Sequence, residues 1–195
     1  TLFAGQTTIK DGLFEFTFMV PKDIRYSFGK GRMVYYAYDQ ETREEGVGFY
    51  EDFVIGGSNV VEIVDTIGPE LSIYLNNPAF QDGDKTYEFP HFYANIYDEN
   101  GINTVGSGIG HDLMMIVDEN PKLTFILNDY FVAENNSFQR GKVSFKMPEM
   151  EEGAHRMTFR AWDLLNNSNT ATLNFQVVKG LDPTIYQVIS YPNPV

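Results

Sequence analysis

The chain has 195 residues, 43% of them hydrophobic and 21% charged, a balance that provides an ordinary globular core and excludes a disordered chain. Fourteen Lys and Arg stand against 27 Asp and Glu, a formal charge of -13 that sets the chain against phosphate backbones and anionic lipid, so nucleic acid is a poor partner. The absence of cysteine removes disulfides, thiolate nucleophiles, iron–sulfur clusters and thiolate zinc sites together.

Period-two alternation dominates from the first residues. Phe14, Phe16, Phe18 and Val20 share one side and Leu13, Glu15, Thr17 and Met19 the other, which predicts a strand. Seven further strands are predicted between Pro69 and Lys179: Leu71 to Asn76, Phe92 to Tyr97, Asp112 to Val117, Leu123 to Leu127, Lys142 to Met147, Arg156 to Trp162 and Thr172 to Val177. Turn formers separate them at Asp82-Gly83-Asp84, Asn100-Gly101, Glu119-Asn120-Pro121 and Asn166-Asn167-Ser168-Asn169. No helix is predicted. The apolar run Leu113 to Val117 ends at Asp118, far short of the ~20 residues that span a bilayer, so no membrane insertion is expected. The fold class is therefore all-β, an immunoglobulin-like antiparallel β-sandwich preceded by a partial or small β-sandwich domain.

An internal repeat supports that division. Phe18-Met19-Val20-Pro21 matches Phe145-Lys146-Met147-Pro148, and Arg32-Met33-Val34-Tyr35-Tyr36-Ala37-Tyr38-Asp39 matches Arg156-Met157-Thr158-Phe159-Arg160-Ala161-Trp162-Asp163. The inward positions become Met33, Tyr35 and Ala37 in one copy and Met157, Phe159 and Ala161 in the other. The first copy has room for too few strands before Pro21. Residues 1-59 are thus read as the C-terminal part of an immunoglobulin-like domain, 60-180 as a complete sandwich and 181-195 as a linker towards a following module. The sandwich core should hold Phe92, Ile96, Phe145, Met157, Phe159, Phe175 and Val177, with Lys142 and Arg160 outside. The incomplete domain should leave Phe14, Phe16, Phe18, Tyr35 and Phe53 on a face that upstream strands, the second domain, the tail from Ile185 to Ser190 or a neighbouring chain must cover. With neither a starting Met nor a leader, the sequence reads as a piece of a longer exported protein.

Catalytic constellations are absent from the pattern. His91, His111 and His155 lie at no metal-binding spacing from one another, and His91 and His155 sit at strand starts as edge imidazoles. The loop Gly106-Ser107-Gly108-Ile109-Gly110-His111-Asp112 is Gly-dense but matches neither the P-loop nor the dinucleotide fingerprint. Asp98-Glu99-Asn100 and Asp163 with Asn166 and Asn167 offer hard oxygens without the EF-hand spacing, and turn formation accounts for them. A calcium-rigidified spacer would bring Asp98, Asn100 and Asp163 together. Tyr93, Tyr97 and Tyr130 would serve a sugar platform if they shared an exposed face. No catalytic, cofactor or metal residue and no cofactor is assigned.

The series Asp11-Gly12-Leu13-Phe14, Val20-Pro21-Lys22-Asp23-Ile24, Gly68-Pro69, Asp98-Glu99-Asn100-Gly101-Ile102-Asn103 and Gly108-Ile109-Gly110-His111-Asp112 resembles the C-terminal region of the PorU family. So do Leu127-Asn128-Asp129-Tyr130-Phe131 and Trp162-Asp163-Leu164-Leu165-Asn166-Asn167-Ser168. This family comprises gingipain-like cysteine endopeptidases that act as sortases of the type IX secretion system in the Bacteroidetes. The resemblance implies an exported protein at the outer-membrane surface that removes C-terminal sorting domains from cargo and helps attach it to lipopolysaccharide. It places the catalytic Cys and His outside this chain, so the chain itself is expected to be no enzyme. Its expected partners are the peptidase domain of the same polypeptide and other secretion proteins at the outer membrane. The competing reading is an adhesin-like or carbohydrate-binding module, rigidified by calcium.

Overall fold

The computed structural model describes residues 2–22, 28–57, 63–105 and 110–180. The linker expected at 181-195, and Gly106 to Ile109 of the Gly-dense loop, lie outside the described residues. In chain order the strands are β1 (Gly29–Lys30), β2 (Met33–Tyr38), β3 (Glu45–Tyr50), β4 (Val54–Ile55), β5 (Glu70–Leu75), β6 (Lys85–Thr86) and β7 (His91–Tyr97). They continue with β8 (Met114–Val117), β9 (Thr124–Ile126), β10 (Phe131–Ala133), β11 (Arg140–Lys146), β12 (Gly153–Trp162) and β13 (Ser168–Val177). The only helical elements among the described residues are single 3-10 turns at Pro121–Leu123 and Asn128–Tyr130.

The seven strands expected after Pro69 are β5, β7, β8, β9, β11, β12 and β13, and two sheets order them as β10-β11-β7-β5 and β6-β13-β12-β8-β9. The fold is an all-β sandwich. Its register follows the alternation: Phe145 faces Phe92 and Val143 faces Ala94 across β11 and β7, while Met157 lies between Leu173 and Val117 in the other sheet. Strand positions of one parity enter the core, and the next parity, with Lys142 and Thr172, stays outside. All seven expected core residues are buried, from Phe145 at 9% exposure to Phe159 at 0%. Phe92 and Phe159 meet across the two sheets with ring centroids 5.4 Å apart. Each buried side chain of this size contributes roughly 1.5–3 kcal/mol. Arg160 is outward but half-buried, its guanidinium lying 5.4 Å from the Trp162 ring.

The strand expected from Phe14 to Val20 does not form. Lys10 and Leu13 exchange backbone hydrogen bonds of 2.9 Å around Asp11 and Gly12, whose φ values of 52° and 77° make the turn of a hairpin. Beyond the turn the arms stay in contact, with Thr7 Oγ1 donating to Glu15 O at 2.7 Å, but no strand is assigned to them. Phe14, Phe16 and Phe18 instead stack in a row at 6.3 and 6.1 Å, and Phe3 stacks on Phe18 at 5.1 Å. The alternation here coincides with ring stacking, and no strand is assigned over these residues. Hydrogen bonds from Asn136 N to Gln6 O and from Lys22 N to Leu164 O fasten this segment to the sandwich.

Contacts consequently divide the chain into two units, Thr1–Asp23 with Asp65–Val195, and Ile24–Val64. In the smaller unit β1 pairs with β4 and β2 with β3, and none of its described residues is buried. Of the face expected to be left over, Phe14 and Phe16 are exposed, but within the smaller unit the exposed apolar side chains are others. Tyr35 and Phe53 are half-buried, whereas Val34, Tyr36, Val47 and Phe49 are each more than 60% exposed. Val34 opposes Phe49 and Tyr36 opposes Val47, so these four form cross-strand pairs on one side of the hairpin.

Candidate functional site

Three carboxylates converge at one end of the sandwich. Asp98 follows the last residue of β7, Asp163 follows the last residue of β12, and Asp65 begins the extended segment leading to β5. One oxygen from each lies within 4.8 Å of the others, with Asp98 and Asp163 buried and Asp65 half-buried. The local backbone enforces the approach. Asn103 N donates to Trp162 O and Leu164 N to Gly101 O, aligning the chain after Asp98 alongside that around Asp163. Gly101 turns this corner at φ +99°, where an added Cβ would meet Phe138 Cδ2 at 2.7 Å and Leu164 Cδ1 at 2.9 Å.

Main-chain and amide donors answer much of the negative charge. Asp98 Oδ1 accepts from Asn100 N at 2.8 Å, and Asp163 Oδ1 accepts from Leu165 N and Asn167 N at 2.9 and 2.6 Å. Asp163 Oδ2 accepts from Asn167 Nδ2 at 2.7 Å, and Asp65 Oδ2 accepts from Asn100 Nδ2 at 2.6 Å. Burial pushes the Asp98 carboxyl up to about 6 against the pull of the Asn100 N–H, and the neighbouring Asp163 and Asp65 add to the rise. Asp98 is therefore the carboxyl of this cluster that takes up a proton first as pH falls towards 6. Three carboxylates also supply part of the hard-oxygen shell that calcium or magnesium takes, so Asp65, Asp98 and Asp163 are the residues that could hold such an ion.

The structure thus joins Asp98, Asn100 and Asp163 as the calcium-spacer expectation required, and adds Asp65, which sequence reasoning missed. A lone Asp in an extended linker carries no spacing signal. Asn167 belongs to the cluster through its amide. Asn166 closes the same turn at φ 73°, with a buried Oδ1 that has no hydrogen-bond partner.

The other expected candidates are scattered. His155 lies near the start of β12 as expected, half-buried: its Nδ1 lies 2.7 Å from Asp118 Oδ2, its Nε2 lies 2.8 Å from Glu151 O, and its ring stacks on Phe175. His91 Nε2 lies 2.8 Å from Ser144 Oγ on the outer face of the four-stranded sheet. Burial and then the nearby Lys146 charge lower the pKa of that imidazole. A hydroxyl beside an imidazole suggests a nucleophile and base, but no carboxylate orients His91 among the described hydrogen bonds. His111 packs on Trp162 with centroids 4.3 Å apart.

The three tyrosines make no common platform. Tyr93 is stacked between Tyr74 and His91, Tyr97 lies under the Arg140 guanidinium, and Tyr130 packs edge-on against the core residue Phe145. Glu70, Ser72, Asn95, Tyr97, Arg140 and Lys142 line an open depression on the same outer face as Tyr93.

No family model and no curated protein matches the chain. Among solved structures, the crystal structure of dimeric latent PorU from Porphyromonas gingivalis matches with 39% identity and a TM-score of 0.61, over 96% of this chain. The chain is similar to PorU along nearly its whole length. It spans only 18% of the PorU chain. That coverage makes it a counterpart of one PorU region, in agreement with the resemblance carried by its sequence motifs. The endo-beta-1,4-mannanase of Thermotoga petrophila matches 56% of this chain and 20% of its own at 15% identity and a TM-score of 0.37, too little to bear on fold or function.

Proposed function

We propose that the chain is a non-catalytic β-sandwich region, C-terminal to the peptidase domain, of a PorU-like cysteine endopeptidase. Its role is to hold that domain in place and to present it to secretion partners at the outer-membrane surface. Residues 181-195 lead to a following module. The 39% identity maintained over 96% of the chain carries this reading, because a shared sandwich alone would bring no such identity. The chain's own chemistry is compatible with it. With no cysteine, it has no thiolate nucleophile, and the peptidase Cys and His must come from elsewhere in the polypeptide.

The encoding reading frame tests the proposal directly. A Cys–His peptidase domain upstream in the same polypeptide is the expected result, and an unrelated enzyme or a string of repeats would remove the reading. A second test deletes residues 65–180 from the full-length protein in its own cells. Removal of sorting domains from secreted cargo should fall, while unchanged cargo processing would show that the region has no positioning role.

A further inference from the structure

The outer face of the four-stranded sheet gathers positive charge in a chain whose formal charge is -13. The outward positions of β11 are Arg140, Lys142, Ser144 and Lys146, all exposed. β11 pairs with β7, whose outward residues are Tyr97, Asn95, Tyr93 and His91. β7 pairs in turn with β5, which directs Glu70, Ser72 and Tyr74 the same way. Glu70 is the one acid among these outward residues.

The cations of this row are positioned but little neutralised. The Arg140 guanidinium lies 4.4 Å over the Tyr97 ring, and among the described residues no carboxylate forms a salt bridge with it or with Lys146. Lys142 Nζ meets Glu134 Oε1 at 3.5 Å with both side chains well exposed, an ion pair that water and salt weaken. The charge of Lys146 reaches His91, whose pKa is lowered first by burial and then by that charge. Beside the row, Tyr93 stacks on Tyr74 at 5.3 Å and on His91 at 4.6 Å. Rings stacked in this way turn their faces largely to one another and leave their edges outward. Those edges carry the positive end of the ring quadrupole, which suits an anion better than the flat face of a sugar.

We infer that the outer face of β5, β7 and β11 is a docking surface for an extended acidic peptide segment of a partner protein, with its alternate carboxylates seated on Arg140, Lys142 and Lys146. Charge complementarity and spacing identify this occupant. Outward residues of a strand recur about every 6.7 Å, and the side chains on one face of an extended peptide repeat at the same interval. Carboxylates on its first, third and seventh residues therefore meet the three cations together, and Arg140 offers one of them a fork of N–H donors. The C-terminal end of the chain supplies no such segment, since Leu181 to Val195 contains a single acidic side chain, Asp182. A second copy brings the same net charge of -13, which opposes its approach.

Titrating the 195-residue chain with a synthetic peptide of alternating Glu and Thr tests this through amide chemical shifts. The shifts should saturate, stay within β5, β7 and β11, and need about tenfold more peptide when NaCl rises from about 0.05 to about 0.5 M. Arg140→Gln combined with Lys146→Gln should weaken binding about five- to tenfold. Arg156→Gln, at an exposed cation of β12 in the other sheet, should leave it unchanged. A peptide of Glu-Glu-Thr-Thr repeats has the same charge but directs carboxylates to both its faces, and should bind about threefold or more weakly. Equal affinity for the two peptides, an equal loss in Arg156→Gln, shifts spread over both sheets, or no saturation would overturn the inference. So would tighter binding of a sulfated glycan of equal charge, which makes a polysaccharide the occupant, or the same shifts on concentrating the chain alone, which make it a second copy. If the double variant loses the unfolding transition of Trp162, the two peptides compared on the unaltered chain still decide. The outcome is independent of whether the reading frame encodes a peptidase.

Discussion

Replacing Asp98 with Asn isolates the energetic cost of the carboxylate cluster. The folded protein holds this carboxyl at about 6, against an ordinary value of 3.8, so it binds its proton more tightly folded than unfolded. Below the ordinary value both states are protonated, and Asp98 costs nothing. As pH rises towards the folded value the unfolded state ionises first, and above it the folded protein carries the full cost of a buried charge. The difference of about two pKa units corresponds to about 3 kcal/mol at pH 7.5. Asn keeps the shape and an oxygen for the Asn100 N–H, so Asp98→Asn should stabilise the sandwich by about 2–3 kcal/mol at pH 7.5 and by almost nothing at pH 3.5. Urea unfolding can be followed by the fluorescence of Trp162, the single tryptophan. EDTA keeps divalent ions from competing with the proton. A difference between the two proteins that stays flat across this pH range, or a destabilised variant at pH 7.5, would refute the reasoning.

Four further substitutions extend the test, three in the sandwich and one in the smaller unit. Phe159→Ala should cost about 3–5 kcal/mol in urea unfolding, because the ring is fully buried against Phe92. Asp163→Ala removes the acceptor of three N–H groups and should lower stability by about 2 kcal/mol or more, even after relief of charge repulsion. Asp39→Ala at the matching turn should leave the unfolding midpoint reported by Trp162 unchanged, since Asp39 is exposed in the other unit. Gly101→Ala should lower the melting temperature through a loss of about 1–3 kcal/mol, given its positive φ and the close Phe138 and Leu164 atoms.

The sandwich was legible because its strands each bury one face. Val143, Phe145 and Met147 are buried in alternation with exposed Lys142, Ser144 and Lys146, and a single chain suffices to show that period. β6 and β10 were missed since two or three residues are too few to display any period. The Phe14 to Val20 segment misled for the converse reason: alternating aromatics also satisfy the pattern when their rings stack in a row. Ile102, Asn103 and Val105 are buried outside any regular strand, where neither period applies. Two of the three carboxylates of the candidate site, Asp98 and Asp163, were visible as acidic turn residues. Asp65 was not, because it reaches Asp98 and Asp163 only through tertiary folding.

The closing position of β12 and β13 also fixes the order in which the chain can hide its apolar surface. These two strands form a local hairpin of ten paired positions, whereas β6 pairs with β13 across about ninety residues of chain, a costlier loop to close. During synthesis β5 to β11 emerge before β12 and β13, so Phe92, Val143 and Phe145 can face only the β8–β9 part of the opposite sheet until its central strands, ending at Val177, are made. The nascent chain therefore carries an incompletely covered apolar face until residue 177 has been made. A holdase should engage ribosome-bound intermediates that stop before residue 153 and release those extended beyond residue 180.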